Sequence, residues 1–191
     1  MRIGIVSDTH GLLRPEVLDA FAHVDHILHA GDIGSMRVLE QLQTIAPVTA
    51  VRGNVDVDLP RVDQPAAETA AGGGSDTCSP LGHDILRVTI EGLKILLTHV
   101  LPRPGAPSEE VMESLAKDGA DVVVFGHSHL PHDEKVGGVW FLNPASAGPR
   151  RFDYPVSVAI LEKARGDWTV CHVPLDDRSV TALGDRMNQL R

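Results

Sequence analysis

Five short polar motifs each stand where an apolar run ends: Asp8-Thr9-His10, Gly31-Asp32, Gly53-Asn54, His99 and Gly126-His127-Ser128-His129. The runs before them cover residues 3–6, 26–29, 48–51, 95–97 and 122–125. They are short, mostly aliphatic and rich in β-branched residues, so they read as buried strands. In an open α/β sheet, ligands bind outside the carboxyl ends of the strands. The expectation is that five segments deliver two Asp, one Asn and four His to one edge of one sheet. Oxygen and imidazole donors of this kind suit divalent transition metals.

Helical patterns separate the first strands. Pro15 can open a helix through Phe21, with Val17, Leu18 and Phe21 as its apolar stripe. Ser35 is placed to cap a second helix through Gln43, with Val38, Leu39 and Leu42 inward. Such alternation predicts parallel pairing with right-handed crossovers. Residues 86–90, Glu91-Gly92 and residues 93–98 read as a hairpin. Ser108, Glu109 and Glu110 open a third helix through Ala116. Strands at 139–142, 156–161 and 168–173 then follow without helices, which predicts a second, mixed or antiparallel sheet packed on the first. A C-terminal helix is expected near 179–190.

Residues 61–84 break the pattern. They hold Pro65-Ala66-Ala67, Ala70-Ala71-Gly72-Gly73-Gly74-Ser75 and Ser79-Pro80, with almost no large apolar side chains. This composition predicts a flexible insertion; a functional lid is the sharper alternative.

At 191 residues the chain fits one domain, 1–191, carrying that insertion, and can bury a sizeable core. Its formal net charge of −9 argues against an extended nucleic-acid footprint. Bound divalent ions would still reverse the local sign for a phosphate. Cys78 and Cys171 form no C-x-x-C pattern. With no signal-like start and no apolar run of about 18 residues, the expected setting is the cytoplasm, away from any membrane.

Taken singly, each motif has an ordinary reading. Gly31-Asp32 and Gly53-Asn54 are common turn dipeptides, Asp8-x-His10 could be a strand-end turn, and His99 a satisfied histidine. Gly126-His127-x-His129 is more specific, with two imidazoles two residues apart in a glycine turn. Of ten histidines, four fall in these strand-end motifs; the other six have no comparable setting. The conjunction makes sense as a two-metal site, which needs a bridging carboxylate and terminal ligands on each side.

The order D-x-H, G-D, G-N, H, G-H-x-H resembles the calcineurin-like metallophosphoesterases, especially their small bacterial and archaeal phosphodiesterase branch. Residues 92–99 share in the likeness, and Asn143-Pro144-Ala145-Ser146 is similar to that branch's N-P-G-S turn. The resemblance implies an α/β fold, a two-sheet αββα sandwich. It implies that Asp8, His10 and His129 hold one metal, that Asn54, His99 and His127 hold the second, and that Asp32 bridges. These are also the implied catalytic residues. The implied cofactors are two divalent ions, manganese first, with nickel, iron or zinc as alternatives.

The implied activity is hydrolysis of a small phosphate diester by metal-activated hydroxide. A phosphomonoesterase and a noncatalytic interaction scaffold on the same fold are the alternatives, and a homodimer is the default assembly. Arg103 and Arg150 are candidates to steady the phosphate, against the reading of solvated surface arginines. Three positions depart from the family pattern. Val55, followed by Asp56, stands where many members carry a leaving-group His. Val100 and Ala145 stand where Gly is usual. If another acid serves in place of that His, Asp56 or His132 is next in line.

Overall fold

Two five-stranded sheets face each other in the computed structural model, which describes residues 1–60, 85–101, 109–181 and 183. The expected insertion at 61–84 lies outside the described residues, as do Arg103, Ser108 and most of the expected C-terminal helix; residues 177–181 are helical.

The first sheet begins with β1 (Arg2–Val6), β2 (His26–His29) and β3 (Val48–Ala50), paired in parallel. Helices α1 (Pro15–Phe21) and α2 (Met36–Gln43) make the crossovers. Pro15 sits in the first turn of α1, where its missing N–H costs nothing. The Ser35 side chain accepts from the Arg37 N–H and caps α2, as expected.

The second sheet contains β4 (Ile85–Ile90), β5 (Leu93–Thr98), β6 (Val122–Val124), β7 (Pro131–Val136) and β8 (Val139–Pro144), in the order β4-β5-β6-β8-β7. Helix α3 (Glu109–Asp118) joins β5 to β6, which pair in parallel.

Two expectations are corrected. The five motif-bearing strands do not share one sheet: β1, β2 and β3 lie in the first, β5 and β6 in the second. The second, mixed sheet is present, but the late strands divide between the two sheets. The final hairpin, β9 (Ser157–Ala164) with β10 (Asp167–Pro174), returns to the first sheet, where β9 pairs antiparallel with β1. β8 instead pairs in parallel with β6. Apolar runs report burial, not which distant strand is the partner.

Alternation along each strand sorts side chains into layers. Ile3, Ile5 and Leu28 meet Ile95, Leu97, Val122, Val124 and Leu142 between the sheets. Val6 and Ile27 face Val17, Phe21, Leu39 and Leu42 of the first two helices. Leu96, Val123 and Phe141 stand side by side on neighbouring strands and pack with Val111 of α3. The molecule is therefore an αββα sandwich. Gly4 allows a close helix contact, since a Cβ there would stand 2.9 Å from the Phe21 ring.

Candidate metal centre

The carboxyl ends of β1, β2 and β3 converge with those of β5 and β6. Asp8, Asp32, His99 and His129 are buried there, His10 is half-buried, and Asn54 and His127 are exposed. Five of these seven residues have left-handed backbone: Asp8 (φ 54), His10 (φ 48), Asp32 (φ 53), His127 (φ 67) and His129 (φ 57). Asp, Asn and His tolerate this region better than most residues. Backbone held there against its preference clusters at functional sites.

Asp8, His10 and His129 bring ligand atoms together in one group, and Asp8, Asp32 and His99 in another. Asp32 spans the centre: its Oδ2 lies 3.7 Å from His10 Nε2, and its Oδ1 lies 3.3 Å from His99 Nε2. His129 Nε2 is 3.2 Å from Asp8 Oδ1 and 3.4 Å from His10 Nε2. The His127 ring sits edge-on to His99, with centroids 5.2 Å apart.

The donor set fits a cation. The Ala30 carbonyl takes the His99 Nδ1 proton at 2.7 Å, so in the neutral ring Nε2 keeps its lone pair. That lone pair faces the Asp32 carboxylate at a distance above the roughly 2.7–2.9 Å of a direct charge-assisted bond. His99 Nε2 and Asp8 Oδ1 are buried without a hydrogen bond. Acceptor facing acceptor in a dry pocket is resolved by a shared cation.

Burial alone would push Asp32 up. The facing His99 ring, the N–H that Val55 donates to Oδ1 and the charge of His10 outweigh it and hold the carboxyl well below the usual range. Burial lowers His99, but the facing Asp32 carboxylate and the Asp8 charge leave it raised. Burial dominates at His10 and lowers it, opposed by Asp32 and Asp8.

Several neighbours hold these side chains in place. Gly126 is obligatory, because a Cβ would stand 2.0 Å from Ser7 Oγ. Gly53 likewise has no room for one, 2.1 Å from the Asp32 nitrogen. Asn143 donates to the Gly126 carbonyl at 2.8 Å and to Ser128 Oγ at 3.1 Å, while its Oδ1 accepts the Ala145 N–H. Ser146 Oγ donates to the Asp8 carbonyl at 3.0 Å. The N-P-A-S turn is thus a brace beneath two of the motifs, and Ala145 accepts the left-handed backbone (φ 70) without being Gly.

His29 carries a role its sequence setting did not signal. Thr9 Oγ1 donates to the Ile33 carbonyl and accepts from His29 Nε2 at 3.0 Å, fastening the loop between Asp8 and His10.

Asp56, a candidate acid, and Arg150, a candidate for the phosphate, are both tied into the scaffold. Asp56 is fully buried and accepts the N–H groups of Ile33, Gly34 and Gly53, so both its oxygens are taken up in stapling two loops of the centre. Arg150 is engaged elsewhere, bonding both Asp176 carboxylate oxygens at 2.7 and 2.6 Å. Its neighbour Arg151, not singled out in the sequence, reaches His10 Nε2 at 3.3 Å. His132 is buried against Phe125 with its Nε2 3.3 Å from Glu134. Val55 is exposed and contributes only its backbone N–H, to Asp32. Among the described residues, no helix is long and apolar enough to cross a membrane.

A family model described as the calcineurin-like phosphoesterase superfamily domain matches residues 1–166. A probable metallophosphoesterase of Methanothermobacter thermautotrophicus is 34% identical over 170 residues, covering 84% of this chain and 85% of that protein. A phosphodiesterase of Methanocaldococcus jannaschii is 30% identical over 151 residues, covering 75% of this chain and 82% of that protein. Among solved structures, vacuolar protein sorting 29 of Cryptosporidium parvum has the same fold, with a TM-score of 0.66 at 20% identity, covering 91% of this chain and 96% of that one. The match over residues 1–166, with relatives of this likeness along most of their length, means that the chain belongs to the calcineurin-like phosphoesterase superfamily.

Proposed function

We propose that the chain is a metal-dependent phosphodiesterase with a binuclear centre. The observation that carries this reading is the pair of buried imidazole–carboxylate contacts, His99 Nε2 against Asp32 Oδ1 and His129 Nε2 against Asp8 Oδ1, in which His99 Nε2 and Asp8 Oδ1 have no hydrogen bond. Two divalent ions bound there supply a water of lowered pKa as nucleophile and positive charge for the phosphoryl oxygens.

We assign Asp8, His10 and His129 to one ion and Asn54, His99 and His127 to the other, with Asp32 between them. Support for the bridge is that Asp32 turns one oxygen toward His10 and the other toward His99. Asp8 reaches both three-residue groups, which makes it a second shared carboxylate. The Ala30 carbonyl holds His99 in the tautomer that leaves Nε2 available. As one P–O ester bond breaks, water supplies the new oxygen and the departing alcohol takes up a proton. Val55 has none to offer, so the reading carries a preference for acidic leaving groups.

Manganese is the first metal to test, with nickel, iron and zinc beside it. The proposed setting is the cytoplasm, the substrate a small phosphate ester, and the default assembly a homodimer. The test is to strip the protein with chelator, reload it with each metal, and count ions per chain. Rates on bis(p-nitrophenyl) phosphate and p-nitrophenyl phosphate are then compared. About two ions per chain and faster diester turnover are expected. Faster monoester turnover would make it a phosphomonoesterase. A chain that binds no metal and turns over neither ester is a scaffold.

A further inference from the structure

The turn at residues 151–154 stands beside the metal centre and has no role in the reading above. It is closed by the Tyr154 N–H donating to the Arg151 carbonyl at 3.1 Å. Arg150 anchors it, bonding the Tyr154 carbonyl, Asp176 and Ser179 Oγ at once. Arg151 extends to His10 Nε2 at 3.3 Å. Among the described residues no carboxylate pairs with Arg151, so its charge is not neutralised as that of Arg150 is.

Phe152, the next residue, is doubly unfavourable. Its backbone is left-handed (φ 51), a conformation that is an outlier for a bulky residue. The residue is 81% exposed, and among the described residues its ring meets one other, Tyr154, at 5.6 Å between centroids. Glycine would remove both penalties. A strained aromatic held in solvent by a braced turn calls for something the ring does.

Arg151 indicates what that is. The His10 Nε2 lone pair serves one partner at a time. Once that nitrogen is a metal ligand, the Arg151 N–H groups lose their acceptor and remain as a planar guanidinium at the rim. Guanidinium matches the non-bridging oxygens of phosphate. A diester differs from inorganic phosphate in carrying a second organic arm. The aromatic pair begins one residue further along, about 3.8 Å in Cα spacing. Stacking on such rings is tolerant of the partner's identity.

We infer that the 151–154 turn is the substrate-recognition element of the centre: Arg151 positions the phosphate, and the Phe152–Tyr154 pair stacks on a planar aromatic substituent of the ester. This rests on the phosphodiesterase reading and deepens it.

The test uses the metal-loaded full chain and two diesters with one leaving group, bis(p-nitrophenyl) phosphate and methyl p-nitrophenyl phosphate. They differ only in whether the retained arm is aromatic. Phe152→Leu keeps an apolar side chain and removes the ring. It is expected to lower the aryl-to-methyl ratio of kcat/KM about tenfold. Arg151→Gln is expected to raise KM for both diesters about tenfold with a smaller change in kcat, and to weaken inorganic phosphate binding in calorimetry. Arg151→Lys should recover part of the loss. Metal content and thermal unfolding of each variant must match wild type.

An unchanged aryl-to-methyl ratio overturns the stacking role. An unchanged KM and unchanged phosphate affinity overturn the positioning role. A Phe152→Leu variant that alters sedimentation but not the ratio makes the rings a self-association surface, which also overturns the inference. A wild type that turns over no diester fails the underlying reading first, before any variant is compared.

Discussion

Two aspartates on the loops after neighbouring strands divide the proposed ligand from a brace. Asp32 lies between His10 and His99 with both oxygens turned into the centre. Asp32→Asn should therefore lower metal content and activity together, beyond the roughly 10–100-fold typical of outer-sphere partners. Asp56 takes three backbone N–H groups and faces no ligand nitrogen. Asp56→Asn turns an amide toward those donors, so it should cost about 3 kcal/mol of stability while saturating metal still fills the site. Metal analysis beside thermal melts distinguishes the two; equal metal loss would break the distinction. His29 allows a pH test. Burial pushes its pKa down to about 4, because a second proton would sit on a buried Nδ1 without a partner. The unfolded chain takes up that proton near pH 6.5 and the folded chain near 4. The His29 contribution is thus complete above 6.5 and lost as pH falls from 6.5 to 4, by about 3 kcal/mol. His26 and His172 shift the same way through burial, and His99 shifts oppositely. A His29→Gln variant of the metal-free protein should lose less stability than wild type over that window. Parallel melting curves would refute the assignment. The seven proposed ligands were legible because each stands at the end of an apolar run. Thr9, His29 and Arg151 were not, since each acts through a partner at least 20 positions away.

Hairpins show how far local chemistry reaches. Glu91-Gly92 closes β4 and β5 with left-handed backbone at both residues (φ 50 and 80), as a two-residue turn between twisted strands requires. Gly137-Gly138 between β7 and β8, and Arg165-Gly166 between β9 and β10, repeat the device. Arg165 (φ 54) occupies a position that Asn fills at lower cost, is exposed, and pairs with no other described residue. Arg165→Asn should stabilise the protein by about 0.5–1 kcal/mol, raising Tm by roughly 1–4 °C for a domain of this size. A fall in Tm would show that the arginine contributes more than its backbone strain costs. The β7 strand escaped the sequence reading for a physical reason. It is the edge of its sheet, and Pro131-His132-Asp133-Glu134-Lys135-Val136 carries the charges that protect an edge from further pairing. Such a strand has no apolar run to reveal it. The helices were legible where capping and stripe agreed, at Ser35 with Val38, Leu39 and Leu42.

At the scale of the whole molecule, the centre is where the two sheets are coupled by polar chemistry as well as by packing. Asp8, His10 and Asp32 follow strands of the first sheet, and His99, His127 and His129 follow strands of the second. Parallel alternation pointed to a site at strand ends, but nothing local could show that the final hairpin returns to β1 or that the ligands divide between sheets. That division has a thermodynamic consequence. Without metal, carboxylates and imidazoles crowd one another across the junction, and five of the proposed ligand positions hold left-handed backbone. A cation that binds only the folded arrangement favours it by mass action, by about 4 kcal/mol at 1,000 times its Kd. Manganese added to chelator-treated protein should raise Tm by roughly 8–16 °C at that ratio, and chelator should reverse the gain. Amide exchange should slow together in the loops following β1, β2, β5 and β6, because ions bound by the proposed ligands would hold both sheets. His99→Ala and His129→Ala come from one sheet, and each should forfeit part of the gain. Asp32→Asn, from the other sheet, should forfeit more, because its two oxygens face both halves of the centre. A Tm that does not respond to metal, or protection confined to the loops of one sheet, would show that the ligands do not act across the junction.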